Sequence, residues 1–210
     1  TVVMTNKMKL DKLNSALAIV AHPDDETIWC GGFIMKHPEL KWTIFSLCRA
    51  GDKDRAPKFR HVCKSYQAKA IMTNLEDDGR LTLKQTLPII KKLILKKVGG
   101  KKFDLLLTHG ANGEYGHARH QGVYQAVNQL INEKKLRSKW LFYFNYSKTD
   151  RKKFFPPVAK KNTKFLFYLS VKEFSRKKKI MTEFYGFDPN SIDVSYCTNP
   201  EAFKIIKLNL

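Results

Sequence analysis

Residues 16–26 read Ala-Leu-Ala-Ile-Val-Ala-His-Pro-Asp-Asp-Glu, and this stretch decides the fold. Six apolar residues ending abruptly in a polar turn are the pattern of a strand buried on both faces, as in a parallel sheet. Pro23 followed by three acids marks a helix start, because proline fits the first turn and carboxylates suit the positive end of the helix dipole. A helix to about Lys36 and a second strand over residues 42–48 follow. Phe59, Val62, Tyr66 and Ala70 keep helical spacing, and so do Leu83, Leu87, Ile90, Ile94 and Val98, with lysines opposite the second stripe. Residues 103–108 read as another buried strand. A Gly-rich loop over 109–116 leads to a helix with Val123, Val127, Leu130 and Ile131 inward, then a strand over 140–145. Strands alternating with helices predict an α/β fold, a Rossmann-like and mostly parallel sheet with helices on both faces. The expectation is one domain over 1–210, with a core of about 15–150 and a small irregular C-terminal extension, 151–210, holding a helix over 171–184.

With 210 residues, 43% hydrophobic and 28% charged, the chain reads as soluble and globular, with room for a core that needs no disulfide or metal staple. Its longest apolar run falls far short of the ~20 residues of a membrane span. Residues 1–14 are polar and basic, without a signal peptide's apolar core. An opening at Thr1 rather than Met is expected of a chain trimmed of a leader or tag. Cys30, Cys48, Cys63 and Cys197 form no C-x-x-C pair, which predicts buried thiols, a cytoplasmic location and no zinc finger.

The charge is unusual: 39 basic against 19 acidic residues give +20. Basic residues cluster at Lys91-Lys92, Lys96-Lys97, Lys101-Lys102, 151–153, Lys160-Lys161 and 176–179. This is either attraction to phosphate groups or a solvated lysine surface. The 31 lysines against 8 arginines favour the second reading, since phosphate and base readers lean on arginine's bidentate fork. No nucleic-acid partner is expected. Gly-x-Gly-x-x-Gly is missing after the first strand, so no dinucleotide site is expected either.

In parallel sheets the site lies beyond the carboxyl ends of the strands. His22, Asp24 and Asp25 fall there, and so does Gly113-Glu-Tyr-Gly-His-Ala-Arg-His120. Taken alone, His-Pro-Asp can be a helix cap, and His-x-x-His arises often by chance. Both at strand ends are hard to dismiss. His117 and His120, three apart at a helix start, share one face. Adjacent Asp24 and Asp25 point different ways, so one can bind a metal while the other faces a water. Two histidines and a carboxylate, with a fourth position left for water, make a catalytic zinc set. The metal takes that water's pKa from about 16 to about 7, and a nearby carboxylate can accept its proton.

The paired motifs resemble those of the PIG-L/LmbE-type zinc-dependent N-acetylglucosaminyl deacetylases, over roughly residues 15–145. Gly31-Gly32, Arg49-Ala-Gly51, Arg60 at the start of the next helix and Asp78-Gly79 add lesser points of likeness. The resemblance implies that His22, Asp25 and His120 bind one Zn2+ per chain and that Asp24 is the general base. It implies a cationic His117 that stabilises the oxyanion and protonates the leaving amine, Tyr115 on the same oxyanion, and Arg60 on the substrate. On this division Asp24→Ala keeps zinc and loses turnover, while Asp25→Ala loses both.

The chain departs from the family in two places. Cys63 stands where the family's Arg-x-x-Glu has its glutamate, and Phe184-Tyr-Gly-Phe187 occupies the region of the family's His-x-Ser-Gln. The C-terminal part shapes the substrate pocket in this family. Arg119 and His61 read as surface or supporting residues, and His109 lies at the strand end close to the site. The expected activity is hydrolysis of the acetamide of an N-acetylglucosaminyl compound, and an anionic or lipid-linked substrate would suit the charge. The alternatives are an amidase on a thiol–sugar conjugate or acylated antibiotic, or a non-catalytic polyanion-binding protein. Homo-oligomerisation is left open.

Overall fold

The computed structural model describes residues 13–148 and 155–208. The basic cluster at 151–153 and most of the polar N-terminal stretch lie outside them. β1 (Ser15–Val20) is buried on both faces except at Ser15, as a continuous apolar run requires. It leads through the His-Pro-Asp turn into α1 (Asp25–Lys36). β2 (Lys41–Cys48), α2 (Arg55–Ser65), β3 (Lys69–Leu75), α3 (Leu83–Val98) and β4 (Lys102–Thr108) continue the alternation. The short α4 (Gly113–Gly116), α5 (Ala118–Asn132) and β5 (Arg137–Phe144) complete the parallel part.

The sheet has seven strands in the order β3-β2-β1-β4-β5-β9-β8. β1 pairs in parallel with both β2 and β4, so the chain's winding reverses between β1 and β4. A crevice opens at that switch point, and the loops after β1 and β4 form its two walls. One core, under α1 and α2, centres on Trp29, Phe33, Phe59 and Phe142. The other, under α3 and α5, gathers Ile90, Ile94, Val123, Val127 and Leu130.

The α2 stripe ends sooner than the sequence spacing predicts. Tyr66 caps the helix, Gln67 turns the chain at φ 55°, and Ala70 lies in β3. Ala68, Ala70 and Met72 all pack on the first core, so period two overrides the spacing of four at this point.

The C-terminal stretch contributes more to the sheet than the sequence reading expects. After the small β6 (Tyr146–Ser147) and β7 (Val158–Ala159) pair, β8 (Phe165–Phe167) and β9 (Glu201–Lys207) join the central sheet antiparallel. Between them α6 (Val171–Lys179) runs into a π-helical turn, Ile180–Phe184, and then α7 (Ile192–Ser195). α6 has a full capping box from Ser170 and Glu173. The four cysteines are all buried and unpaired. Among the described residues no helix is long and apolar enough to cross a membrane.

One internal contact ties this C-terminal part to the helix that carries the acidic motif. α1 breaks at Cys30 (φ −146°), which frees the next amides. Glu201 Oε1 accepts from Gly32 N–H and Oε2 from Phe33 N–H, each at 2.7 Å. Lys177, fully buried, donates to Glu201 Oε1 at 2.7 Å and to the Thr198 carbonyl at 3.1 Å. A Cβ on Gly32 would lie 2.4 Å from the Leu169 side chain, which packs directly on this glycine and would have to shift. Lys177→Met is expected to cost about 3–5 kcal/mol, because it strands a buried carboxylate. Burial raises the Glu201 carboxyl pKa, so in the variant protonation relieves the penalty at low pH. Urea unfolding should show a deficit larger at pH 8 than at pH 5.

Candidate functional site

The turn after β1 brings His22, Asp24 and Asp25 to the crevice. Asp24 sits at φ 115°, ψ −32°, a conformation an L-residue rarely adopts. Its N–H donates to Glu26 Oε2 at 3.1 Å. Glu26 is fully buried, and its Oε1 accepts from Thr27 Oγ1 at 2.7 Å and from the Tyr185 hydroxyl at 2.8 Å. Burial pushes the Glu26 carboxyl up to about 6. Tyr185 lies in the Phe184-Tyr-Gly-Phe187 segment, so the region that departs from the family pattern braces the acidic turn.

Three candidate donor residues converge in the crevice, Asp25 facing the two rings with different oxygens. His22 Nδ1 is 3.3 Å from Asp25 Oδ2, His120 Nε2 is 3.4 Å from Asp25 Oδ1, and His120 Nε2 is 3.4 Å from His22 Nδ1. A tetrahedral ion with ligands at ~2.0–2.1 Å sets its donor atoms about 3.3–3.4 Å apart, which is the length of each of these three contacts taken singly. The outer nitrogens of both rings are occupied. His22 Nε2 faces Asp77 Oδ1 at 2.9 Å, and His120 Nδ1 faces Glu114 Oε2 at 2.7 Å. With protons on those outer nitrogens, two lone pairs and a carboxylate point at one another, an arrangement that calls for a cation. Asp25 is held in turn by the Trp29 indole N–H at 2.9 Å and the His22 backbone N–H at 2.8 Å.

Two other histidines come near the same point. His109 Nε2 is 3.5 Å from Asp25 Oδ2, but it already accepts the Ala21 amide at 3.0 Å. Glu114 and Asp25 act against burial to push the His109 pKa up to about 9. The amide needs a lone pair on Nε2, so we assign the neutral tautomer with its proton on Nδ1 toward Glu114. His117 caps α5: its Nδ1 accepts the Arg119 amide at 3.2 Å. Burial, with His120 and His22 adding like charge, pushes its pKa down to about 4. With Nδ1 accepting that amide, Nε2 is the nitrogen that carries a proton toward the cavity.

The two adjacent carboxylates titrate apart. Burial and the charge of Asp25 raise the Asp24 carboxyl. Burial opposes ionisation of Asp25 too, but His120 and His109 hold it well below the usual range. The crevice is a cavity of about 240 Å³ lined by His22, Asp24, Asp25, Arg49, Arg55, Asp77, Tyr115 and His117, with Asp193 and Tyr196 closing it from α7. Tyr115 packs edge-on against His117 at 5.7 Å between ring centroids, and burial raises its hydroxyl pKa. A larger cavity of about 950 Å³ lies by β5 and β9 and contains none of these residues.

Arg60, expected at a helix start and on the substrate, lies midway along α2, exposed and outside the cavity lining. α2 starts earlier because Asp52 Oδ1 accepts the Asp54 and Arg55 amides at 2.9 Å each. Arg55 is the arginine that reaches the site: its Nη1 is 3.4 Å from Asp24 Oδ2, and its guanidinium stacks 4.2 Å above the Phe187 ring. His61 is exposed and meets Phe184 at 4.7 Å between centroids. Arg119 is buried and turned away from the cavity, donating to the Glu76 carboxylate and to the Leu81 carbonyl. Sequence reasoning missed Asp77, Arg55, Glu114 and the α7 residues. For Arg55 the Asp-x-Asp-Arg run at 52–55 was a usable capping signal.

Comparison with solved structures agrees on the fold. A deacetylase in the biosynthesis pathway of teicoplanin aligns over 93% of this chain and 99% of its own, at 10% identity and TM-score 0.62. The N,N'-diacetylchitobiose deacetylase of Pyrococcus horikoshii covers 94% and 85%, at 12% identity and TM-score 0.62. A 4-carboxy-2-hydroxymuconate hydratase of Pseudomonas putida covers 94% and 98%, at 12% identity and TM-score 0.58. This fold therefore carries more than one reaction, and activity has to be argued from the site. No curated protein matches the sequence. The profile of PIG-L, described as GlcNAc-PI de-N-acetylase, matches residues 17–131, more than half of the chain and the span that holds every donor around the crevice. On that match, and with the two-wall crevice its motifs build, the chain belongs to the PIG-L family.

Proposed function

We propose that the protein is a metal-dependent hydrolase that removes the acetyl group from an N-acetylated amino sugar, releasing acetate and a free amine. One zinc per chain is held by His22, Asp25 and His120. The observation that carries this reading is the convergence of those three residues at the distances a tetrahedral ion would set, beside a second carboxylate, Asp24, that takes no part in the set. A divalent ion there would polarise the amide carbonyl and acidify a water.

The chain's own groups supply the rest. Asp24 lines the cavity next to the donor set with its basicity raised, which suits a base that takes a proton from the attacking water. That water's oxygen bonds to the carbonyl carbon, the C–N bond then breaks, and the departing nitrogen takes up a proton. His117, neutral and with its Nε2–H free of the helix cap, donates to the developing oxyanion. The proton that Asp24 takes from the water is the one it returns to the departing amine. The Tyr115 hydroxyl, which burial keeps protonated, is the second oxyanion donor. Arg55 and Arg49 at the cavity wall engage a polar or anionic substituent of the sugar, the role the sequence reading gave to Arg60.

The test is release of primary amine from a panel of N-acetylglucosaminyl compounds by chelated protein, with and without added zinc. Release that depends on zinc is expected. Silence across the panel with one zinc bound would move the activity to another amide. The arginine pair makes a second expectation. kcat/KM for a phosphorylated substrate should fall steeply between low and high salt, while a neutral substrate changes little. Parallel salt profiles for the two would remove the anionic-substrate reading.

A further inference from the structure

Glu114 lies outside the donor set, yet it contacts both His120 and His109. It is fully buried, and its backbone sits at φ 56°, ψ −63°, a left-handed conformation that favours glycine. Its carboxylate makes three contacts. Oε2 accepts from His120 Nδ1 at 2.7 Å and from His109 Nδ1 at 2.8 Å, and Oε1 accepts the Gly110 amide at 2.7 Å. The two rings stack with centroids 3.9 Å apart. The far nitrogen of His109 accepts the amide of Ala21, the residue just before His22.

The contacts form a strut across the switch point. From Glu114 one branch reaches His120, the donor on the β4 wall. The other passes through His109 to the backbone of the turn that carries His22 and Asp25 on the β1 wall. We propose that Glu114 is the positioning residue that aligns both walls of the donor set, directly through the His120 tautomer and indirectly through the His109–Ala21 hydrogen bond. The assignment rests on the reading of His22, Asp25 and His120 as metal ligands. A glutamine cannot replace Glu114. Its amide NH2 would face either the Gly110 N–H or the two imidazole N–H groups, donor against donor. Carboxylates that orient ligating histidines characteristically change metal affinity 10–100-fold when lost.

The experiment is a chelator competition with zinc on wild-type protein and Glu114→Gln, read as the zinc dissociation constant rather than as turnover. The metal-free melting temperature is followed in parallel. The expected result is a dissociation constant about 10–100-fold higher in the variant. An unchanged constant overturns the proposal. If the variant does not fold, zinc-loaded wild-type protein decides by imidazole 15N NMR. Both His109 and His120 should carry their proton on Nδ1, and a proton on Nε2 of either ring overturns the assignment. Failure of the wild type to take up zinc would overturn the metal reading itself, and this inference with it. Tight zinc binding without amine release would overturn only the activity.

Discussion

Asp24→Asn is expected to keep its zinc and lower kcat by about 10²–10⁴-fold, the range that removal of a positioned general base produces. Asparagine is the informative replacement for two reasons. It is isosteric with aspartate, and it tolerates positive φ better than other non-glycine residues, so the φ of 115° at this position is not an added burden. The hydrogen bond from the residue 24 amide to Glu26 is a backbone contact and survives the change. What disappears is a carboxylate whose basicity is raised by burial and by the charge of Asp25. A neighbouring pair whose affinities for protons are driven apart in this way separates a proton acceptor from a permanently charged ligand. The checks are zinc stoichiometry and single-turnover rate on the same preparation. Equal zinc loss in Asp24→Asn and Asp25→Ala would undo the division of labour between the two residues.

The position of the pair was legible in the sequence because the residues are consecutive and the turn is short, whereas which of the two would bind a metal came from the family resemblance alone. The apolar run over 16–21 pointed to a buried strand, which placed whatever followed it at a strand's carboxyl end. The second motif followed another such run, and the two together located the crevice. The residues that brace the site were harder to see, because their contacts bridge large sequence separations. Asp77 reaches His22 from 55 residues away, Tyr185 reaches Glu26 across 159, and Glu201 reaches the α1 amides across about 169. None of these pairings has a local period. β8 and β9 were missed for a related reason. They run antiparallel at the end of an otherwise parallel sheet, and the alternation that announced the earlier strands stops before them.

The same distribution explains why the C-terminal part matters to a site whose donors all lie before residue 121. α1 enters the crevice at its first residue and breaks at Cys30, so the orientation of Asp25 depends on what holds the helix beyond the break. The holding groups are Glu201 on β9 and Lys177 on α6. Tyr185 then braces Glu26, and Phe187 supports Arg55 from below. Substitutions in this part can therefore alter metal affinity and substrate preference without touching a ligand.

Asp25→Ala should remove both the metal and the activity, the largest effect expected of any single change in the chain. Asp25 is the only anion among the three donors, and it is the common neighbour of both histidines, within 3.3 Å of His22 Nδ1 and 3.4 Å of His120 Nε2. Without it two neutral imidazoles remain, a donor set with neither the charge nor the third point needed to fix a divalent ion. The Trp29 indole N–H and the His22 amide lose their acceptor as well, and the buried indole left unsatisfied costs about 1–3 kcal/mol. A lower melting temperature should accompany the loss of zinc. In the wild type, chelation should abolish amine release and added zinc should restore it. In Asp25→Ala, zinc at any concentration should not. A variant that regained turnover with excess zinc would mean that another set, such as His22, His117 and His120, can hold the ion, and that Asp25 only tightens it.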